Sequence, residues 1–369
     1  MMPIRSSRSG IALALTLVFV CAALPLDLFS LIIPALSVRP GFTSEGVSLY
    51  VQLYLMGYSV GQLVWGIVSD FLGRRRVLLM ALGGIFILNT LFLWVPLHEG
   101  RAVLRFGSGV FASAGLCLPR AIFRDLAQGK EMAIFSSRVT MFSECFMTLS
   151  PVIVGFLVCR HGAEAQFVVV SILVFMTAVA TYVYLPETLK TKKNFAFWPF
   201  ITSLGAIMRE PKFLFFTLLA GFSYFVLMFY LSNGGRVWEN HFGLLIADWT
   251  PFHSVILSGL IWGSLINAII LRYTSVLVMI YAGLFLSALM IVLVSLFGLE
   301  STYMFTGIML ILMTSIGTLF ANCLAKAMEP FAHEAGVGSS LYGAVQVFTA
   351  SLLMYVGDFC VRAVPFLAH

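Results

Sequence analysis

Eleven apolar runs, each long enough to cross a bilayer as a helix, fill most of this chain and leave little room for another architecture. They lie near residues 11–36, 46–70, 76–96, 102–123, 132–158, 165–185, 213–232, 251–271, 275–297, 302–323 and 335–358. A hydrocarbon layer of about 30 Å needs roughly 20 apolar residues per helical crossing. Inside it every backbone N–H and C=O must be paired within the protein, so such runs are helices. No single water-soluble core of 369 residues could bury a chain that is 60% hydrophobic and holds 34 Phe. The pattern predicts an all-α, polytopic membrane protein of about 11 transmembrane helices.

Arg5 and Arg8 precede the first run, as they would in a secretory signal. The run continues past Asp27 to Leu36 without a clear small-residue cleavage site, and ten more follow, so it reads as an uncleaved first helix. Lys and Arg set the orientation. With the N-terminus cytoplasmic, fifteen fall inside, including Arg74, Arg75, Arg76, Arg120, Arg124, Lys192, Lys193 and Arg272, while Arg39, Arg101, Arg160, Arg236 and Arg362 stay outside. Arg105 and Arg138 fall within spans. The net charge of +6 is accounted for by orientation in an inner (plasma) membrane, and nucleic acid is not an expected partner. The six Cys show no CxxC spacing and read as small buried hydrophobes rather than as a Cys159–Cys360 disulfide. The His residues show no metal-ligand spacing, and no Walker sequence, nucleophile elbow or zinc motif occurs. No cofactor is expected, and an enzyme is not.

The longest hydrophilic break, LPETLKTKKNFAFWPFITSLGAIMREPK, follows six spans and precedes five. It divides the chain into an N-terminal half at 1–185, a cytoplasmic linker at 186–212 and a C-terminal half at 213–369. The halves echo each other: VWGIVSDFLGRRRVLLM at 64–80 aligns with IWGSLINAIILRYTSVL at 261–277, setting Trp65 and Gly66 against Trp262 and Gly263. A duplicated transporter fold would produce such an echo.

Between spans two and three stands GIVSDFLGRRR. Arginines there satisfy the positive-inside rule, but that rule explains neither Asp70 nor the glycines. A carboxylate at a helix C-terminus opposes the macrodipole and needs a cation beside it. Gly66 and Gly73 permit close helix approach and a tight turn. Gly66, Asp70, Gly73, Arg74 and Arg75 match the loop signature of the major facilitator superfamily, G-x-x-x-D-R-x-G-R-R/K, with Phe71 where the family has arginine. In that family the loop latches the two halves on the cytoplasmic side. YLMGYSVGQLVWG at 54–66, LRFGSG at 104–109, AIFRDLAQGKE at 121–131, LPETL at 185–189 and AGVGSSLYGAVQ at 335–346 resemble the Bcr/CflA drug-resistance branch. The resemblance implies two helical halves around a midplane site. It also implies a twelfth helix that the chain, ending at His369, does not contain, through a shortened member or an early end of frame.

Candidate site residues follow from charge inside the membrane. Asp27, well inside the first span, is expensive there and so a functional candidate; the alternative is an acid paired with an arginine or capping local backbone. LPLDLFSLIIPAL around it is similar to the family's first-helix motif. Glu144 sits near the middle of the fifth span, as a second proton site, an attractor for a cationic substrate, or the partner of Arg105 or Arg138. Arg105, a turn in from the outer face, can snorkel; it resembles the family's fourth-helix arginine, which implies that it senses the acid's protonation. Pro151 and Gly155 stand where the family has its helix-five antiporter motif, here contracted. Tyr54 and Tyr58, with Tyr50, recur at four-residue spacing, and Phe225 and Phe229 follow Phe222 on span seven. These rings line a greasy cavity or simply pack. Gly57 and Gly61 suit close helix packing.

These residues lead to the expectation of a monomeric secondary transporter that exchanges protons for drugs or other amphipathic small molecules by alternating access. Uptake of a nutrient or siderophore-like solute on the same fold, and a degenerate non-transporting relative, are the alternatives. Eleven spans from a cytoplasmic N-terminus put His369 outside. Alkaline phosphatase fused there should be active and a fluorescent reporter dark; the reverse pattern overturns the span count.

Overall fold

The computed structural model describes residues 8–33, 36, 44–95, 97–126, 129–189, 197–298, 300–331 and 335–363. Among them no strand occurs, and eleven helices are long and apolar enough to cross a membrane. In chain order the helices are α1 (Arg8–Leu31), α2 (Ser44–Leu72), α3 (Arg74–Trp94), α4 (His98–Leu126), α5 (Gly129–His161) and α6 (Glu164–Tyr184). After them come α7 (Phe197–Met208), α8 (Pro211–Arg236), α9 (Ile246–Ile270), α10 (Val276–Phe297), α11 (Thr302–Met328) and α12 (Ala335–Ala363). The expected spans are all present, most of them longer by a few residues at their ends.

Local chemistry sets the breaks. Gly73, at φ 100°, turns the chain between α2 and α3 in a conformation that a Cβ disfavours. Pro211 opens α8 at a position where a missing N–H costs nothing. Ser275 and Ser301 cap α10 and α11 by accepting from the Val278 and Met304 amides. The stretch read as a linker holds a helix of its own, α7. Its FWPFITSLGAIM is too short to cross a bilayer, and Pro199 falls in the first turn, where it is tolerated. Ile207 of α7 is buried with Phe213, Ala220 and Leu341, which fastens this helix to α8 and α12.

α1 packs against α4, α5 and α6, α2 against α4, and α3 against α4 and α6, making one bundle. α8 packs on α11 and α12, and α11 on α9 and α10, making a second. The bundles meet where α2 faces α12, α5 faces α9 and α1 faces α8. α10 lies at the edge, with Tyr281, Phe285 and Leu296 turned outward, as lipid contact requires.

Small residues decide how closely the helices pack, because lipid tails give no hydrophobic advantage to helix contact. A Cβ on Gly57 would strike the Phe106 carbonyl of α4, and one on Gly109 the Tyr54 carbonyl of α2. In the second bundle Gly263 plays the same part: its Cβ would stand 3.1 Å from the Gly317 Cα of α11. Gly57 and Gly61 therefore correspond to Gly259 and Gly263, five residues out of step with the alignment drawn on Trp65 and Trp262. Consistent with that shift, Trp65 is buried and donates to the Val110 carbonyl at 2.6 Å, whereas Trp262 is 55% exposed. The equivalent bond in the second bundle is the Asn267–Asn322 pair, whose Asn322 amide donates at 2.7 Å.

Gly57→Val and Gly263→Val should each cost about 1–3 kcal/mol through forced overpacking. Gly83→Val, with open space around its Cα, should leave the melting temperature in detergent unchanged.

Candidate functional site

The first bundle presents its charged interior at the junction of α1, α2, α5 and α8. Asp27 lies two residues past Pro25, the one proline inside α1. It is half-buried, within electrostatic reach of Glu144 on α5, Tyr54 on α2 and Tyr224 on α8. Glu144 is half-buried as well. No Lys or Arg stands within ion-pair distance of either acid among the described residues, so the pairings of Glu144 with Arg105 or Arg138 are not formed. Arg138 is turned outward.

Arg105 departs from the expectation of snorkelling. α4 starts at His98, which sets Arg105 seven residues in, about 10 Å along the axis. Its side chain is 2% exposed. Nη1 and Nη2 donate to the Pro25 carbonyl at 3.2 and 3.3 Å, and the guanidinium lies 4.0 Å over Phe29 and 4.7 Å over Tyr54. The charge is held by a carbonyl and two ring faces. It touches α1 beside Asp27 rather than the carboxylate itself.

Tyr54 donates to the Ala22 carbonyl of α1 at 3.2 Å and stacks on Tyr58 at 6.1 Å. Tyr50 leaves this group: its hydroxyl shares a 2.7 Å bond with His98 Nδ1 and its ring packs among Phe29 and Phe92. On α8 the aromatic residue within electrostatic reach of Asp27 is Tyr224. Phe225 and Phe229 turn toward α12, where each approaches Gly357, and Phe222 is exposed. The Phe spacing on span seven drew attention away from Tyr224; the signal available was a hydroxyl inside an apolar run. Pro151 is buried within α5, and one turn on, Gly155 lets α5 meet α9, since its Cβ would stand 2.7 Å from Thr250.

The turn between α2 and α3 forms a second polar group. Arg74 is buried, with Nη1 2.5 Å from Asp70 Oδ1 and also on the Ser69 hydroxyl, and Nε 3.4 Å from Asp125 Oδ2. The cation that Asp70 needs is thus one turn along. Thr188 donates to the same Asp125 oxygen at 3.1 Å. Glu187 accepts from the Arg74 amide at 2.9 Å and so caps α3, while Arg75 donates to the Tyr182 carbonyl and lies over the Tyr182 ring. Asp125 and Glu187 stand in stretches quoted for their resemblance, yet nothing in their spacing tied them to Arg74. These bonds join α2, α3, α4 and the end of α6 inside one bundle. Across to the other bundle, Gly66 comes close to Ser340 of α12: a Cβ on Gly66 would stand 3.2 Å from the Ser340 Oγ.

The two bundles touch at both ends of the central group. At one end Arg236 donates to the Ser48 hydroxyl at 3.2 Å; at the other, nearer the turn between α2 and α3, Gly343 abuts the Gln62 side chain.

The profile described as Major Facilitator Superfamily matches residues 15–354. The uncharacterized MFS-type transporter YdgK of Bacillus subtilis is 25% identical over 360 residues, 95% of this chain and 89% of that one. The bicyclomycin resistance protein homolog of Haemophilus influenzae is 24% identical, covering 84% of this chain and 79% of its own. The multidrug resistance protein MdtL of Klebsiella pneumoniae is also 24% identical, over 90% and 84%. A solved structure of the xylose transporter XylE from E. coli, partially occluded and inward open, superposes with a TM-score of 0.72 at 15% identity, covering 95% of this chain and 91% of that one.

Arg74→Gln should leave Asp70 and Asp125 facing each other without a cation and lower stability by about 1–3 kcal/mol, the partial exposure of both acids softening the loss. Arg76→Gln, at an exposed neighbour, should leave the melting temperature of the purified protein where it is.

Proposed function

Because the chain belongs to the major facilitator superfamily, we propose that it is a secondary active transporter that exports drugs or other amphipathic small molecules in exchange for protons. The two bundles rock about the central group and open it to one side at a time. The observation that carries this reading is Asp27: a carboxylate deep in α1, with no cation at ion-pair distance among the described residues, facing a second acid and Tyr224 of the other bundle. A charge in the bilayer interior is tolerable when it is paired, wetted or neutralised. An acid without a counter-charge, at the junction of the bundles, is suited to gain a proton on one side and give it up on the other. Arg105 anchors α4 to the carbonyl beside that acid, so the protonation of Asp27 and the position of α4 are coupled through α1. Glu144 is the second site of the same kind. The names of two relatives, a bicyclomycin resistance homolog and a multidrug resistance protein, favour export.

The experiment is paired measurement of binding and flux in proteoliposomes with an imposed pH gradient, on a panel of labelled amphipathic compounds. Asp27→Asn keeps size and most hydrogen bonding and fixes the neutral form. It should bind substrate as the wild type does and lose uphill accumulation entirely, while downhill exchange persists. Glu144→Gln should retain part of the gradient-driven flux. Full flux in Asp27→Asn with loss in Glu144→Gln would move the proton site to α5.

A further inference from the structure

On the cytoplasmic side of the acids, four donor groups face one another across the seam between the bundles, and the transport reading leaves them unused. Arg120 of α4 is half-buried and takes part in no hydrogen bond or ion pair among the described residues. It is within electrostatic reach of Tyr58 on α2 and of Tyr342 on α12. Tyr342 is 4% exposed, and its hydroxyl is buried without a partner among the described residues. Gln62 lies one turn beyond Tyr58 on the same face of α2; it is 1% exposed, its Nε2 likewise has no partner among the described residues, and its side chain abuts Gly343. Tyr58 is 8% exposed, and its hydroxyl makes no hydrogen bond among the described residues.

Buried donors are ordinarily satisfied, and each one left alone costs about 1–3 kcal/mol. Two in one place, beside a cation that has no carboxylate among the described residues, call for an acceptor that carries negative charge. Orientation of the chain does not explain the arrangement. A guanidinium that served only the positive-inside rule would turn to the headgroups, whereas Arg120 is half-buried and within electrostatic reach of two tyrosines at the seam. It lies five residues before Asp125, which marks the cytoplasmic turn, and so about 8 Å in from that end of α4.

We propose that Arg120, with the Tyr58 and Tyr342 hydroxyls and the Gln62 amide, forms a subsite for an anionic group, a carboxylate or a similar oxyanion, on the molecule being carried. A planar oxyanion matches the guanidinium fork, and the three neutral donors occupy its remaining lone pairs. The inference rests on the transport reading and narrows its substrate class. The molecule carries an acid, which it offers to the cytoplasmic mouth, and its remaining body extends along Tyr58 and Tyr54 toward Tyr224 and Asp27. A positive group at that far end would meet the two carboxylates, so an amphoteric molecule suits both ends.

The test uses two probes of one shape and opposite charge, 1-naphthoate and 1-naphthylmethylammonium, titrated calorimetrically against the full chain in nanodiscs, with empty nanodiscs as the blank. Wild type should bind naphthoate. Arg120→Gln should weaken it by about tenfold and Tyr342→Phe by about threefold, as loss of a charged and a neutral hydrogen bond predicts. Arg120→Lys should restore part of the affinity. The ammonium probe should change by less than about twofold in all three variants, since none of them removes an acid. Naphthoate affinity that is unchanged in Arg120→Gln, an equal loss for both probes, or no naphthoate binding by wild type overturns the proposal. These titrations need no gradient, so absent flux alongside Arg120-dependent binding would remove the transport reading and leave the subsite standing.

Discussion

A bilayer interior supplies no hydrogen-bond partner and no counter-ion, and each part of this molecule answers to that scarcity. Helices come together where glycine lets one backbone reach another, as Gly57 and Gly109 do between α2 and α4 and Gly263 and Gly317 between α9 and α11. Polar side chains between helices bond to carbonyls or to each other, as Trp65 does with Val110 and Asn267 with Asn322. With water absent, a misplaced donor is costly, so the same few bonds that close the bundles also fix their register.

Charge is handled by separation. Arg105 lies among rings and on the Pro25 carbonyl, and Arg74 takes Asp70 and Asp125 at the cytoplasmic turn. Had Arg105 reached a carboxylate, the interior would hold a settled ion pair with little reason to exchange a proton. Instead the acids of α1 and α5 have no cation at ion-pair distance among the described residues, and the stability of the surrounding helices is borne by contacts that do not involve them. A change of charge at the proposed site would therefore leave the packing of the bundle in place.

The spans were legible in the sequence because length and apolarity alone identify a crossing, and the turn at Gly73 because a positive φ and a run of arginines leave a local imprint. The interior was legible only where charge is rare enough to stand out, as at Asp27 and Glu144. Tyr224 was hidden because a tyrosine in a phenylalanine-rich helix resembles its neighbours, and which face it takes depends on α1 and α2. Arg105 was misjudged for a related reason. Its depth follows from where α4 begins, and its partner is a main-chain atom, which no side-chain pattern can announce. The repeat was drawn on tryptophans because they are conspicuous, whereas the symmetry of the fold resides in glycines.

Between α2 and α12 the bundles are joined by the Ser59 hydroxyl on the Ala344 carbonyl at 2.7 Å and the Ser351 hydroxyl on the Gln52 carbonyl at 3.1 Å. A serine in a helix has a second acceptor always at hand, the carbonyl one turn back on its own strand of the coil. Were the seam to part as proposed, Ser59 could turn to Leu55 and Ser351 to Val347, and the carbonyls they release would keep their own helical donors. No orphan is created on either surface. Under the proposed transport cycle the joint would act as a reversible fastener whose open and closed forms differ little in hydrogen bonding, leaving the choice between them to whatever occupies the middle.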